Sequence, residues 1–186
     1  MMSTPDRSPL ETLLAAEGSV AHNAEPAWRD FVEHVVESLD VGPGTRIWDV
    51  GCGAGAFLYP LWENGYIVGG VDDSEARIAL ARKAMPEGAF VVGQPTAVDP
   101  AEPWDVVITS RGFAACADLD QARGLLARMA AKATHAVAVL NLSEAGEPGG
   151  TPTARAGLLR MLAEIGVTAV QFETATGGRF HTYAKV

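Results

Sequence analysis

Apolar residues recur at three- and four-residue steps from Trp28 through Phe31, Val32, Val35 and Val36 to Leu39, the stripe of one helix face, and Pro26 suits its first turn. Upstream, within residues 1–24, Leu10, Leu13 and Leu14 form a shorter periodic piece flanked by Pro, Ser and Gly. It reads as a mobile helical segment able to act as a lid. From Gly44 onward the pattern alternates. β-rich runs fall at 45–50, 66–71, 89–92, 104–109, 135–141, 167–173 and 179–185, and helical stretches cover roughly 55–64, 74–84, 118–133 and 153–165. Strands separated by helices predict a mostly parallel sheet with right-handed crossovers. Gln94 to Pro103 carries Pro95, Pro100 and Pro103, so that crossover is expected to be loop. Residues 174–178 leave no room for a helix between the last two runs, which must pair antiparallel. Nothing divides residues 25–186, and the expectation is a single α/β domain.

Charge and cysteine content narrow the function. The 186 residues carry a formal net charge of −9, and the Lys and Arg are scattered, so a nucleic-acid backbone would meet a repulsive field. No apolar stretch is long enough to span a bilayer or to act as a secretory signal, which predicts a cytoplasmic location and no membrane partner. The two cysteines, Cys52 and Cys116, form no CxxC; neither a zinc site nor a disulfide framework is expected.

The most informative stretch is Asp49-Val50-Gly51-Cys52-Gly53-Ala54-Gly55, where the first strand turns toward the first helix of the sheet. Glycines there let the backbone turn tightly and approach a ligand. The second strand ends in Asp72, twenty-one residues after Gly51, placed to hydrogen-bond ribose hydroxyls; Asp73 beside it suits a turn. A dinucleotide is a poorer ligand. Its fingerprint is GxGxxG rather than GxGxG, and its pyrophosphate would face Asp49, with like charges at ~4 Å costing about 4 kcal/mol at an effective dielectric near 20. A ligand that carries an ammonium would instead find a partner in Asp49.

Asp49 to Gly55, then Gly70-Val71-Asp72, then Trp104-Asp105-Val106-Val107-Ile108-Thr109 resemble the successive motifs of class I S-adenosylmethionine-dependent methyltransferases, closely over residues 45–141. The resemblance implies a Rossmann-like domain whose seven strands lie in the order 3-2-1-4-5-7-6. It implies that Gly51, Gly53 and Gly55, with Cys52 between them, border the methionine and ribose of S-adenosyl-L-methionine, that Asp72 takes the ribose hydroxyls, and that Gln94, Pro95 and Thr96 flank the adenine. Many members have an Asp near Gln94; the Gln94 amide oxygen can accept the same hydrogen bond without charge assistance.

Thr109 and Arg111, at the carboxyl end of the fourth strand, would sit beside the transferring methyl. Arg111 can bind an anionic substrate or a cofactor carboxylate, or can salt a helix on the surface. His22 is a candidate base over the site, with Asn23 a cap for the following helix. Asp105 opens the fourth strand away from the ligand edge and reads as structural. Between the fifth strand and the helix near Thr153 there is no room for a substrate lid, so a small-molecule acceptor would be covered by Ser8 to Asn23 or by a second subunit, as in a homodimer or with a partner chain. The primary expectation is methyl transfer to a small molecule, of secondary metabolism given the family's range. The alternatives are a methyltransferase-like protein with another role, a cyclase or non-catalytic partner subunit, and an NAD-dependent oxidoreductase.

Overall fold

The computed structural model describes residues 8–17, 36–109, 111–143, 155–167, 169–174 and 179–186. The chain runs through α1 (Pro9–Glu17), a helical turn α2 (Glu37–Leu39), β1 (Arg46–Val50), α3 (Tyr59–Glu63), β2 (Ile67–Asp72), α4 (Glu75–Ala84), β3 (Ala89–Val92), β4 (Trp104–Thr109), α5 (Leu119–Lys132), β5 (Ala133–Ser143), α6 (Arg155–Glu164), β6 (Ala169–Thr174) and β7 (Arg179–Lys185). One sheet holds all seven strands in the order β3-β2-β1-β4-β5-β7-β6, as the resemblance implied. β3, β2, β1, β4 and β5 are mutually parallel, and β7 runs antiparallel to both β5 and β6.

Alternation along β1 divides the core between the two faces of the sheet. Ile47 joins Val68, Val106, Ile108 and Ala138 against α1, α3 and α4, while Trp48 and Val50 join Val107 and Val137 against α5 and α6. With helices on both faces, the inner strands are mostly apolar, with Asp49, Asp72, Asp105 and Thr109 among the exceptions on β1, β2 and β4. Trp48 and Trp104 pack with ring centroids 5.3 Å apart, and the Arg46 guanidinium lies 4.7 Å over Trp104.

Two departures from the sequence-based elements have local causes. The helix expected over 55–64 is shortened to Tyr59–Glu63, because Gly51, Gly53 and Gly55 all take positive φ and the chain stays in turns until Leu58. β5 is longer than expected, since β7 continues the pairing to Ser143. Of the helix expected from Glu25, only 36–39 lie within the described residues. Within the segment 1–24, residues 9–17 form a helix seated on the domain, with Leu13 fully buried and Leu10, Leu14 and Ala16 packed beside it.

The crossover after β3 is turn and loop, as its prolines require. It is fastened to α5 by Arg128, whose guanidinium donates to the Thr96 and Pro95 carbonyls and pairs with Asp99 at 2.9 Å. Asp105 is structural, accepting from the Arg46 backbone N–H at 2.8 Å and the Thr134 hydroxyl at 3.2 Å. No helix among the described residues is long and apolar enough to cross a membrane.

Where β2 passes β1, Gly70 leaves space that nothing larger can share. A Cβ there would lie 2.6 Å from the Asp49 carbonyl oxygen and 2.7 Å from Cys52 Cβ. Gly70→Ala is expected to lower the unfolding free energy by about 2 kcal/mol in urea titration. Trimming Cys52 to Ala should not restore it, since the tighter contact is with backbone.

Candidate active site

The loop after β1 is drawn over β2 by its own backbone, Gly51 and Cys52 N–H both donating to the Val71 carbonyl at 2.8 and 3.0 Å. Asp72, 5% exposed, spans this loop and the start of α4. One carboxylate oxygen accepts from Gly53 N–H and the other from Ser74 N–H, each at 3.0 Å, and Arg77 stands 3.7 Å away. Ser74 caps α4 by accepting from Arg77 N–H. Asp73 is exposed, and the backbone bond expected of it as the turn carboxylate is made by Asp72 instead, which accepts from Ser74 N–H.

Asp49 lies at the centre. It is fully buried and neither carboxylate oxygen has a hydrogen-bond partner in the structure. Burial pushes its pKa up to about 7, with Glu17 and Asp72 adding to the rise and the Arg111 guanidinium opposing it. An unpartnered buried carboxylate is costly, and a ligand that brings a cation would offset that cost. The Cys52 thiol, also buried, is pushed well up by burial and by Asp49, so it packs as a thiol rather than acting as a nucleophile.

Sequence reasoning missed Glu17. The last residue of α1, it turns a buried carboxylate onto the glycine loop, one oxygen accepting from Ala54 N–H at 2.6 Å and the other 2.7 Å from an Arg111 guanidinium nitrogen. The available signal was its position: Glu17 continues the apolar stripe of Leu10, Leu13 and Leu14 with a charge. Arg111 thus resolves from a choice of roles into a half-buried partner of Glu17, beside the loop.

Thr109, placed by the sequence among cofactor contacts, is wholly buried, and its hydroxyl donates to the Val50 carbonyl and accepts from Gly112 N–H, each at 2.7 Å. Both of these bonds are to backbone, so Thr109 holds the two loop mouths together. The mouths meet closely, a Cβ on Gly51 falling 3.1 Å from Gly112 N. At the third strand, Gly93 N–H donates to the Asp72 carbonyl, which brings the loop of exposed Gln94, buried Pro95 and Thr96 alongside Asp72. His22 and Asn23 lie outside the described residues. Among the described residues no three His, Cys, Asp or Glu side chains group to hold a metal.

The site therefore gathers, at the carboxyl ends of β1, β2 and β4, a glycine cradle, an orphaned carboxylate, an arginine and a carboxylate at ribose spacing. That set fits a nucleoside bearing an amino-acid tail: Asp49 for the ammonium, Arg111 for the carboxylate and Asp72 for the ribose.

Comparison with known proteins agrees with this chemistry. Residues 47–141 match the family model described as a methyltransferase domain. Over 88 residues, 45% of this chain, the sequence is 35% identical to a ubiquinone biosynthesis O-methyltransferase of Bradyrhizobium diazoefficiens; the match spans 34% of that relative's length. The fold resembles a magnesium protoporphyrin IX methyltransferase of Synechocystis PCC 6803 crystallised with bound S-adenosylhomocysteine, at TM-score 0.70, 15% identity and coverage of 98% of this chain and 90% of the other. It also resembles an amino pentose methyltransferase of Micromonospora echinaspora with bound S-adenosylmethionine, at TM-score 0.71, 17% identity and coverage of 100% and 99%. The chain belongs to the methyltransferase domain family, whose methyl donor is S-adenosylmethionine.

Proposed function

We propose that this chain transfers a methyl group from S-adenosylmethionine to a small-molecule acceptor, with secondary metabolism as its setting and the cytoplasm as its place. The observation that carries the reading is the orphaned, buried carboxylate of Asp49 beneath a loop whose three glycines leave the backbone bare. The relatives named above are called after ubiquinone biosynthesis, magnesium protoporphyrin IX and an amino pentose, which supports a small-molecule acceptor.

The bound donor would supply a methyl group already activated by a sulfonium. The chain's own task is to hold. Asp49 and Arg111 fix the two ends of an amino-acid tail, Asp72 orients the ribose, and Gln94, Pro95 and Thr96 border the base. Positioning of this kind is worth up to ~7–11 kcal/mol of barrier, so no single residue need carry the rate. A base is required only for an acceptor that arrives protonated, and His22 is the candidate for it. The acceptor's cover comes from residues 8–23, or from a second subunit if these do not close.

Saturating S-adenosylhomocysteine is expected to raise the melting temperature. At a hundredfold excess over its dissociation constant the native state gains about 2.7 kcal/mol, which for a domain of this size is roughly 5–10 °C. NAD at the same concentration should leave it unchanged. No shift at millimolar S-adenosylhomocysteine would remove the cofactor assignment, and turnover with quinol, porphyrin and amino-sugar acceptors tests the reaction.

A further inference from the structure

Glu17 is held by two groups suited to recognising the carboxylate of a free amino acid: a backbone N–H of the glycine loop and an arginine. It also occupies the place left bare for a ligand. A Cβ built on Gly53 would meet both Glu17 carboxylate oxygens at 2.5 Å and would overlap the Arg111 guanidinium. Asp49 and Asp72 stand nearby, with Arg77 3.7 Å from Asp72, so three carboxylates share two guanidiniums. A ligand whose ammonium neutralises Asp49, and whose carboxylate takes over Arg111, relieves that excess of negative charge once Glu17 leaves.

Resting on the cofactor reading above, we propose that Glu17 is an internal stand-in for the ligand's α-carboxylate, and that it competes with the amino-acid tail of the nucleoside for Arg111. Entry exchanges one carboxylate for another on Arg111 and on the Ala54 N–H, and α1 withdraws its C-terminal end as this happens. A nucleoside without the tail, such as 5′-methylthioadenosine, has no carboxylate to exchange and gains nothing at Arg111. Glu17 is then an autoinhibitory contact that weakens binding of the intact cofactor and leaves that of its tailless breakdown product unaltered.

Calorimetric titration of the full chain with S-adenosylhomocysteine and with 5′-methylthioadenosine tests this in wild type, Glu17→Gln and Glu17→Ala. Both variants should bind S-adenosylhomocysteine about tenfold more tightly, because the competing charge-assisted contact is gone, while 5′-methylthioadenosine affinity stays within about twofold. Amide hydrogen exchange over residues 9–17 of the wild type should speed up when S-adenosylhomocysteine saturates it. Glu17→Gln keeps the shape of the side chain, so a tightening seen in it cannot be ascribed to loss of α1. Unchanged or weaker S-adenosylhomocysteine binding in both variants overturns the exchange, since Glu17 would be a bystander or a ligand of the ammonium. Equal tightening of both nucleosides also overturns it, making Glu17 a plain steric block. A wild-type chain with no affinity for S-adenosylhomocysteine overturns the cofactor reading and the exchange with it, whereas binding without tightening overturns the exchange alone.

Discussion

Asp72→Ala is expected to weaken S-adenosylhomocysteine binding by about 3 kcal/mol, on the order of a hundredfold, by calorimetry. Two charge-assisted hydrogen bonds to the ribose hydroxyls account for that loss. The same carboxylate holds the Gly53 and Ser74 N–H groups, so the substitution leaves two donors without partners in a nearly closed site. Stability should therefore fall as well, by about 2 kcal/mol. Asp72→Asn separates the two effects: its amide oxygen can keep one backbone donor, yet it cannot offer both ribose hydroxyls a carboxylate. Asp73→Ala is the control, because that side chain is exposed. If Asp73→Ala reduces affinity and Asp72→Ala does not, the ribose sits one residue further along the chain.

Asp49→Asn should do two opposite things. With its pKa raised from 3.8 to about 7, native Asp49 keeps a proton that the unfolded chain has released, and it keeps it across the interval between those values. The native state thus binds more protons there, so stability falls as pH rises from about 4 to 7 and levels off above. Removing the carboxylate removes this decline. Free Asp49→Asn is expected to be more stable than wild type by about 4 kcal/mol at pH 8 and equal to it near pH 4, as read from urea midpoints. Its affinity for S-adenosylhomocysteine should be about thirtyfold weaker, since a neutral amide replaces the partner of the ammonium. Wild-type affinity should rise from pH 6 to pH 8 as Asp49 ionises, and the variant's should not. A variant that is less stable at pH 8, or one that binds as well as wild type, would refute the role given to Asp49.

Most of the sheet was legible because its signals are local. Arg46–Val50 and Trp104–Thr109 are compact apolar runs bounded by turn residues, and the glycine spacing with Asp72 at the next strand end marks a ligand edge. The start of α3 was not legible, since Ala56 to Leu58 suit a helix in composition and only the left-handed conformations ahead of them hold the chain in turns. Glu17 escaped for a different reason. Its partner Ala54 lies thirty-seven residues along the chain, and periodicity reports which face a residue occupies without saying what meets it there. Thr109 shows the converse: its position at the strand end was right, yet its two backbone bonds depend on how the Val50 and Gly112 segments approach one another, which no spacing encodes.

The clip that Arg128 makes on the loop after β3 has an entropic consequence. Three prolines already narrow the conformations open to residues 94–103, and the guanidinium ties the Pro95 and Thr96 carbonyls and the Asp99 carboxylate to a helix on the far side from the cradle. A loop ordered in advance does not have to be immobilised when a base lies against it, a step that otherwise costs about 0.5–1.5 kcal/mol for each flexible side chain fixed. Preorganisation of the adenine border thus resides in a residue that need not touch the ligand, and loosening Arg128 would appear as a less favourable binding entropy.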